Sequence, residues 1–539
     1  MKKRAEIVVF LLGLAIILLA ALNSSRFFAR LDLTESKAFS ISRVSKKLFQ
    51  EIPEQVYITY YVSDRLRKLY SFPQQVEDLL QEYAAYSRGK IRVESLDPLA
   101  AGEVTRAEQY GVLPQQIEVV ERDETSLAKI YTGIVIQYLD RHETIPLAVR
   151  TDALEYELTS RIRKAVSGEE RVVGILLGDA RRDLQQEYGR LLSGLGADFR
   201  VLPLTPGQDV PAEVDSLFVI GNSDLGEFEL FPIDQYLMRG GRALFAVDGV
   251  GVDFMRGLVA SKLVNNPTLA MLASYGVKVE PELMADKYCQ NFRLPTQILG
   301  QVMWQVLDKY PFWITVAGQF ASSDNPITAH FTGLDLYWAS PLTLSALGER
   351  SATGGAVVEP LITSTPDGWT LDEEPFDTNP EAARMLLFSE PENAGTRVLA
   401  ASLRGELASW FRGKDIPKRE GESRTWQSIV ETAKDARLVV VGDADFASNL
   451  MDFTEAAYNV GFLTNAAEWL SNSEDLLSIK TRLSRDVRLN RIQEPARRLA
   501  AVLTTEIVNV ALIPLAIVGF GVARLLLRRK KSAVRAEEE

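Results

Sequence analysis

The chain has 539 residues, 60 Lys and Arg against 72 Asp and Glu, a net charge of −12 and one cysteine, Cys289. It is too long for one ordinary core, so two or three domains are expected. Away from the termini the basic residues are scattered and no nucleic-acid footprint is evident, and a lone cysteine excludes an internal disulfide.

Residues 1–28 read as an N-terminal membrane anchor. Ile7 to Leu22 is uninterruptedly apolar and follows Lys2, Lys3 and Arg4. The small-x-small pattern of a cleavable signal is poor around Ala20–Ser25, so an uncleaved transmembrane helix is expected. A second span is expected at 507–527, with Asn509 and Pro514 inside it and Arg528-Arg529-Lys530-Lys531 after it. Basic clusters beyond both outer ends place both termini in the cytoplasm, residues 528–539 as a cytoplasmic tail, and the body outside the inner membrane. The basic stretch 481–506, with Arg485, Arg488, Arg491, Arg497 and Arg498, reads as a juxtamembrane segment against lipid headgroups or a partner.

Residues 29–150 form the first soluble unit. A helix at Val44 to Gln50 with Ser42 as N-cap is followed by a strand at Val56–Val62. Next come an amphipathic helix at Pro73 to Tyr86, a strand at Ile91–Leu96, a helix at Glu103 to Tyr110 and a strand at Ile117–Val120 behind Pro114. A hairpin of Gly133–Leu139 and Thr144–Val149 closes the unit. This order is similar to a thioredoxin-like fold. Thioredoxin chemistry needs Cys-x-x-Cys after the first strand, and that turn is Ser63-Asp64-Arg65-Leu66. A binding or spacer module without redox activity is expected.

A linking helix at 151–170 leads into the central unit, 171–480. Val172–Leu177 is a continuous apolar run ending at Gly178-Asp179-Ala180. A helical pattern, Leu184 to Leu195, leads through Phe199–Leu204 to Val214–Ile220, which ends at Gly221-Asn222-Ser223-Asp224. A helix at Pro232 to Met238 precedes Ala243–Val247, which ends at Asp248-Gly249. Continuous apolar strands alternating with helices predict a doubly wound parallel sheet, with its polar strand ends along one ligand-binding edge. From 251 to 437 the alternation breaks down, and a large insertion or second subdomain is expected, with strand-like pieces at Val357–Thr363 and Arg397–Ser402 and a solvated acidic loop at 367–381. Leu438–Val441, closed by Gly442-Asp443-Ala444-Asp445-Phe446, and a helix at Phe462 to Leu470 then complete the sheet. The candidate ligand cleft is Gly178, Asp179, Asn222, Asp248, Asp443 and Asp445. Asp443 and Asp445 are spaced to point the same way from a strand end, as a carboxylate pair or as caps for the following turn.

Several pieces resemble the GldG family. They are Val439 to Phe446, Asn459, Phe462 to Leu470 and Glu474-Asp475-Leu476, with Arg30–Ser42, Asp97-Pro98, Gly240 to Leu244, Asn325 to Thr328 and Thr363 to Pro366 in the same order. That family comprises auxiliary, extracytoplasmic components of gliding-motility-type ABC transport systems. The resemblance implies a membrane-anchored subunit beside an ABC permease and a P-loop ATPase, with possible contacts to membrane lipid or an envelope ligand. It also implies a central domain similar to class I glutamine amidotransferases, without their activity. Many relatives carry a Gly-His-Gly-Glu-like turn where this chain has Gly178-Asp179-Ala180-Arg181.

No phosphate-binding Gly-x-x-x-x-Gly-Lys-Ser/Thr loop occurs, and no cofactor, metal or catalytic set is assigned. Cys289 lies outside any strand-to-helix turn, as a structural thiol. Gly221 to Gly226 fits a nucleophile elbow loosely, and of the two histidines, His142 lies in a hairpin turn, leaving only His330 as base. The leading expectation is therefore a non-enzymatic transport-associated subunit. Its competitor is a cell-envelope glycan-binding or hydrolytic enzyme using the Asp443 and Asp445 edge.

Overall fold

The computed structural model describes residues 41–471 apart from 122–123, 150–152, 254–256, 299–300, 329–330, 346–354, 420–425 and 427, together with 476, 479, 519–521 and 524. Two compact units divide the chain, 1–484 and 485–539, and nearly all described residues belong to the first. The architecture is mixed α/β.

The strands of the N-terminal region are β1 (Val56–Val62), β2 (Ile91–Leu96), β3 (Gln115–Glu121), β4 (Glu124–Ile130), β5 (Thr132–Tyr138) and β6 (Arg141–Ile145). Four of them form a sheet in the order β2-β1-β5-β6, with β1 parallel to β2 and antiparallel to β5. The segment around Ile117–Val120, expected in this sheet, pairs instead with β4 as a separate two-stranded ribbon. Helices Arg43–Glu51, Phe72–Tyr86 and Leu154–Ser167 cover one face through Phe49, Val76, Leu80, Tyr83, Leu158 and Ile162. Ser42 caps the first helix, its Oγ accepting from the Ser45 amide at 3.1 Å. The linking helix is tied in by Glu155, buried, which accepts from the Ser42 amide at 2.6 Å and the Ser45 hydroxyl at 2.9 Å. Where thioredoxin chemistry would need thiols, Ser63 closes the turn against Tyr131. Its amide donates to the Tyr131 carbonyl at 3.0 Å, and its Oγ accepts from the Tyr131 amide at 2.9 Å.

The central sheet begins with β7 (Val172–Leu177), β8 (Arg200–Leu204), β9 (Ser216–Ile220) and β10 (Arg242–Ala246). Then come β11 (Val250–Asp253), β12 (Val259–Lys262), β13 (Val277–Val279), β14 (Leu283–Asp286), β15 (Cys289–Ile298), β16 (Gln301–Val316), β17 (Leu334–Tyr337), β18 (Leu342–Leu344), β19 (Val357–Thr363), β20 (Gly368–Leu371), β21 (Val398–Ala408) and β22 (Thr432–Val441). The sheet runs β13-β18-β21-β22-β10-β9-β7-β8, with β19 also on β21. The five strands β8-β7-β9-β10-β22 are parallel, and the others extend them antiparallel. Counted in chain order the parallel strands lie 2-1-3-4-5, so the order reverses at β7 and β9. Both faces are covered, as the apolar runs predict. Val173, Ile175, Phe218, Leu244 and Val439 face one core, and Leu176, Leu217, Phe245, Leu438 and Val440 the other.

The region 251–437 is not a subdomain with a core of its own. It contributes β13, β18, β19 and β21 to the main sheet, and Phe292, Tyr310, Trp313 and Trp338 share one core with Val173 and Phe218. The pattern expected over Leu184 to Leu195 is two helices, Leu184–Glu187 and Gly189–Gly196. Asn449 docks at the break, its amide donating to the Glu187 carbonyl at 2.7 Å and its Oδ1 accepting from the Arg190 amide at 3.2 Å. The helix expected from Pro232 starts at Glu227, because Glu229 turns back onto the Gly226 amide at 3.0 Å.

The expectation of two membrane spans, with cytoplasmic termini and an external body, is corrected. No helix among the described residues is long and apolar enough to cross a membrane. The longest, Phe72–Tyr86, has 15 residues where a span needs ~20. Residues 7–22, most of 507–527 and the basic stretch 481–506 lie outside the described residues, as does His330.

Candidate functional site

The polar turns after β7, β9, β10 and β22 do meet along one edge, because parallel strands place their carboxyl ends together. The hydrogen-bond ladder continues past the strands. The Gly178 amide donates to the Ile220 carbonyl, Gly221 to Ala246 and Val247 to Val441, at 2.8, 2.8 and 3.0 Å. Gly178 is required here by packing: a Cβ would stand 2.1 Å from the Gly221 carbonyl oxygen. Gly442 is held in the same way, with a Cβ position 2.0 Å from the Ser340 carbonyl oxygen. These glycines bring backbones together, and neither lines the cavity beside them.

That cavity, about 460 Å³, is lined by Asp179, Arg181, Arg182, Glu187, Asp253 and Asp445, with Gln186, Ser448 and Asn449 and an apolar wall of Val252, Trp338, Leu450 and Phe453. Of the six residues expected in the cleft, it takes only Asp179 and Asp445. Asn222 and Asp248 brace each other behind it. The Asp248 amide donates to Asn222 Oδ1 and the Asn222 side-chain amide to the Asp248 carbonyl, both at 3.0 Å. Asp248 Oδ1 also accepts from the Ala444 amide at 2.8 Å.

Asp443 and Asp445 do not point the same way. β22 ends at Val441 and a 3-10 turn, Asp445–Ala447, begins four residues on, so the strand's two-residue period no longer applies. Asp443 is fully buried, and both its oxygens are engaged. Oδ1 accepts from the Asp445 and Phe446 amides at 2.7 and 3.1 Å, and Oδ2 from the Tyr337 amide at 2.5 Å. It caps the turn and pins β17 to the end of β22. Asp445 instead accepts from Arg182 at 2.6 Å, and the same guanidinium reaches Glu187 at 2.7 Å.

The electrostatics follow from this crowding. Burial, then the Asp445 and Asp248 carboxylates, push Asp443 upward against the backbone amides that hold it charged. Burial pushes Asp248 up to about 7, with Asp445 adding to it. Asp445 is also raised by burial, opposed by Arg182. At Asp179 burial works against ionisation, yet the Arg181 side chain and amide outweigh it and lower the carboxyl. The Arg181 guanidinium meets that carboxylate with two prongs, Nε to Oδ1 at 3.0 Å and Nη2 to Oδ2 at 2.7 Å. Among the described residues no group of His, Cys, Asp and Glu could hold a metal ion.

Sequence reasoning missed Arg181 and Arg182, Trp338 and the stretch from Ser448 to Phe453. Consecutive arginines beside an aspartate at a strand end were a usable signal, while Trp338 reaches the edge from the insertion and left none. Ser223 is exposed on its turn. Cys289 is a buried strand residue whose thiol is pushed up to about 12 by burial. His142 packs edge-on against Tyr110 at 5.0 Å.

A protein of Borreliella burgdorferi described as an uncharacterized protein is 24% identical over 532 residues, 98% of this chain and 99% of that one. Among solved structures, the β-galactosidase of the haloarchaeon Halorubrum lacusprofundi aligns at 14% identity and a TM-score of 0.18 over 51% of this chain. The cold-adapted β-galactosidase of Rahnella sp. R3 aligns at 12% and 0.19 over 54%. The alignments span 40% and 44% of those two chains, and at such scores they carry no argument about fold or activity. A family model for a domain of unknown function matches residues 35–137. The model described as ABC-type uncharacterized transport system matches residues 170–478, from the first central strand through the helix Tyr458–Ser471. The chain therefore belongs to this family of ABC-type transport-system auxiliary proteins.

Proposed function

We propose that the chain is a non-catalytic auxiliary subunit of an ABC-type transport system, of the gliding-motility type that its strand-end motifs resemble, and that the carboxyl-edge crevice of its central sheet engages a partner subunit or a ligand. Its working partners are a permease and a P-loop ATPase, which supply the translocation path and the nucleotide chemistry. The observation that carries the non-catalytic reading is the state of Asp443: the best-placed acid of the edge is buried and engaged by three backbone amides. An acid–base catalyst needs a reachable proton position, and here the available lone pairs serve the fold. Asp445 is likewise bound to Arg182. In this reading the N-terminal sheet is a thioredoxin-like scaffold with Ser63 closing the turn where thiols would act. The central sheet is an amidotransferase-like scaffold whose insertion enlarges it.

The test is co-purification. The tagged full-length chain, expressed in its own cells and extracted in mild detergent, is expected to bring down an ABC permease and its ATPase in fixed proportion. Asp443→Asn, folded by circular dichroism, is expected to retain them. Recovery of the chain without any transporter subunit would refute the assignment. A folded, normally assembled Asp443→Asn chain that has lost function would favour the hydrolytic alternative.

A further inference from the structure

The cavity at the sheet edge is lined by more carboxylates than guanidiniums. Four carboxylates line it, Asp179, Glu187, Asp253 and Asp445, against the guanidiniums of Arg181 and Arg182. The two arginines are held differently. Arg182 is mostly covered, its side chain 29% exposed, and joins Asp445 to Glu187. The Arg181 side chain is 68% exposed, yet it lies two-pronged on an Asp179 side chain that is only 11% exposed, with Asp253 3.7 Å away. A largely covered carboxylate is thus matched to a planar guanidinium, and the Arg181 stem that delivers that guanidinium stands mostly in solvent, free to swing aside when a second guanidinium takes its place.

We infer that the crevice is a receptor for an arginine side chain of a partner polypeptide, with Arg181 occupying the place that the incoming guanidinium takes. This rests on the auxiliary-subunit reading above. Displacement of Arg181 leaves Asp179 short of a counter-charge in a site already negative, so a neutral side chain cannot substitute. The cavity, about 460 Å³, falls within the size range of ligand sites and is larger than one guanidinium needs. Its wall of Val252, Trp338, Leu450 and Phe453 takes the methylene stem and a neighbouring residue of the partner. That extra apolar surface favours a peptide segment over a small free amine.

The experiment titrates the full-length chain with acetyl-Gly-Arg-Gly-amide and with its citrulline counterpart, which keeps the shape and loses the charge, by calorimetry at low and physiological salt. The arginine peptide is expected to bind roughly tenfold more tightly than the citrulline peptide, the worth of a charge-assisted pair. Arg181→Ala removes the competitor and is expected to tighten arginine-peptide binding roughly twofold to fivefold. Asp179→Asn, which still accepts the Arg181 amide, is expected to abolish the preference for arginine. Equal binding of the two peptides, unchanged or weaker binding by Arg181→Ala, or a retained preference in Asp179→Asn would each overturn the inference. If the peptides fail while the tagged chain still brings down permease and ATPase, the arginine receptor falls and the auxiliary role stands. If the arginine preference holds while co-purification fails, the auxiliary role falls instead.

Discussion

Truncating Asp443 to alanine removes the acceptor for three buried amides, those of Tyr337, Asp445 and Phe446. Each orphaned donor costs about 1–3 kcal/mol. Against this stands the relief of the repulsion that Asp445 and Asp248 exert on Asp443, which with burial raises its carboxyl. The net loss for Asp443→Ala is therefore set at roughly 3–5 kcal/mol, the range for breaking one side of a buried charged arrangement. Asparagine behaves differently. Its single carbonyl oxygen can keep the Asp445 and Phe446 amides, but its NH2 then faces the Tyr337 amide, donor against donor. One lost bond costs about 1–3 kcal/mol, partly offset by the removed charge. The expected order of stability is wild type, then Asn, then Ala. Because the chain has more than one core, a single two-state free energy is not defined. The assay is therefore hydrogen exchange at those three amides, alongside the thermal midpoint. Tyr337 should lose protection in Asn, and all three amides should lose it in Ala. An alanine variant as protected as wild type would refute the capping argument.

Three further outcomes are expected. Asp248, raised from 3.8 to about 7, keeps a proton in the folded chain that the unfolded chain releases. Its contribution is thus present near pH 4 and lost as the pH rises towards 7. Asp248→Asn still accepts from the Ala444 amide, so it should flatten that part of the pH–stability curve and be the more stable variant above pH 7. Gly178→Ala forces a Cβ against the Gly221 carbonyl, an overpacking cost of about 1–3 kcal/mol. A midpoint unchanged from wild type would show that β7 and β9 have room to part. Cys289→Ser should leave partner recovery intact. The native thiol, buried and raised to about 12, should label with maleimide only after unfolding, and fast native labelling would refute its burial.

Legibility in the sequence followed how local the determining force was. Val56–Val62, Ile91–Leu96 and Val172–Leu177 were readable to the residue, because each continuous or alternating strand pattern is bounded by polar or glycine residues that end it locally. The split at Tyr188 and Gly189 was not readable, since it depends on Asn449, far along the chain. The start of the helix at Glu227 is set by Glu229, whose carboxylate accepts from the Gly226 amide, and not by Pro232, which lies inside the helix. At the site, the strand ends were located correctly along one edge, but the direction of their side chains was not. The period-two rule fails where the chain enters a 3-10 turn, and that separates Asp443 from Asp445. The sequence left 251–437 as an insertion or a second subdomain, because its alternation is irregular. What makes it part of the main sheet is antiparallel pairing of β21 with β22, a match of edges that no local pattern encodes.

The pairing of β10 with β22 also bears on how the chain is made. Arg242 lies beside Arg437 in register, with the whole insertion between them in sequence. At a synthesis rate of about 5–20 residues per second, β10 emerges on the order of 10–40 s before its partner. During that interval an apolar strand, Ala243 to Ala246, has one neighbour and one open edge. Such an edge is a template for wrong pairing with other nascent chains. Production of this protein should therefore depend on holdase chaperones and on slow growth at low temperature. Truncations ending anywhere between 250 and 430 should aggregate, whereas the N-terminal unit cut after the linking helix, whose Leu158 and Ile162 complete its core, should not share that hazard.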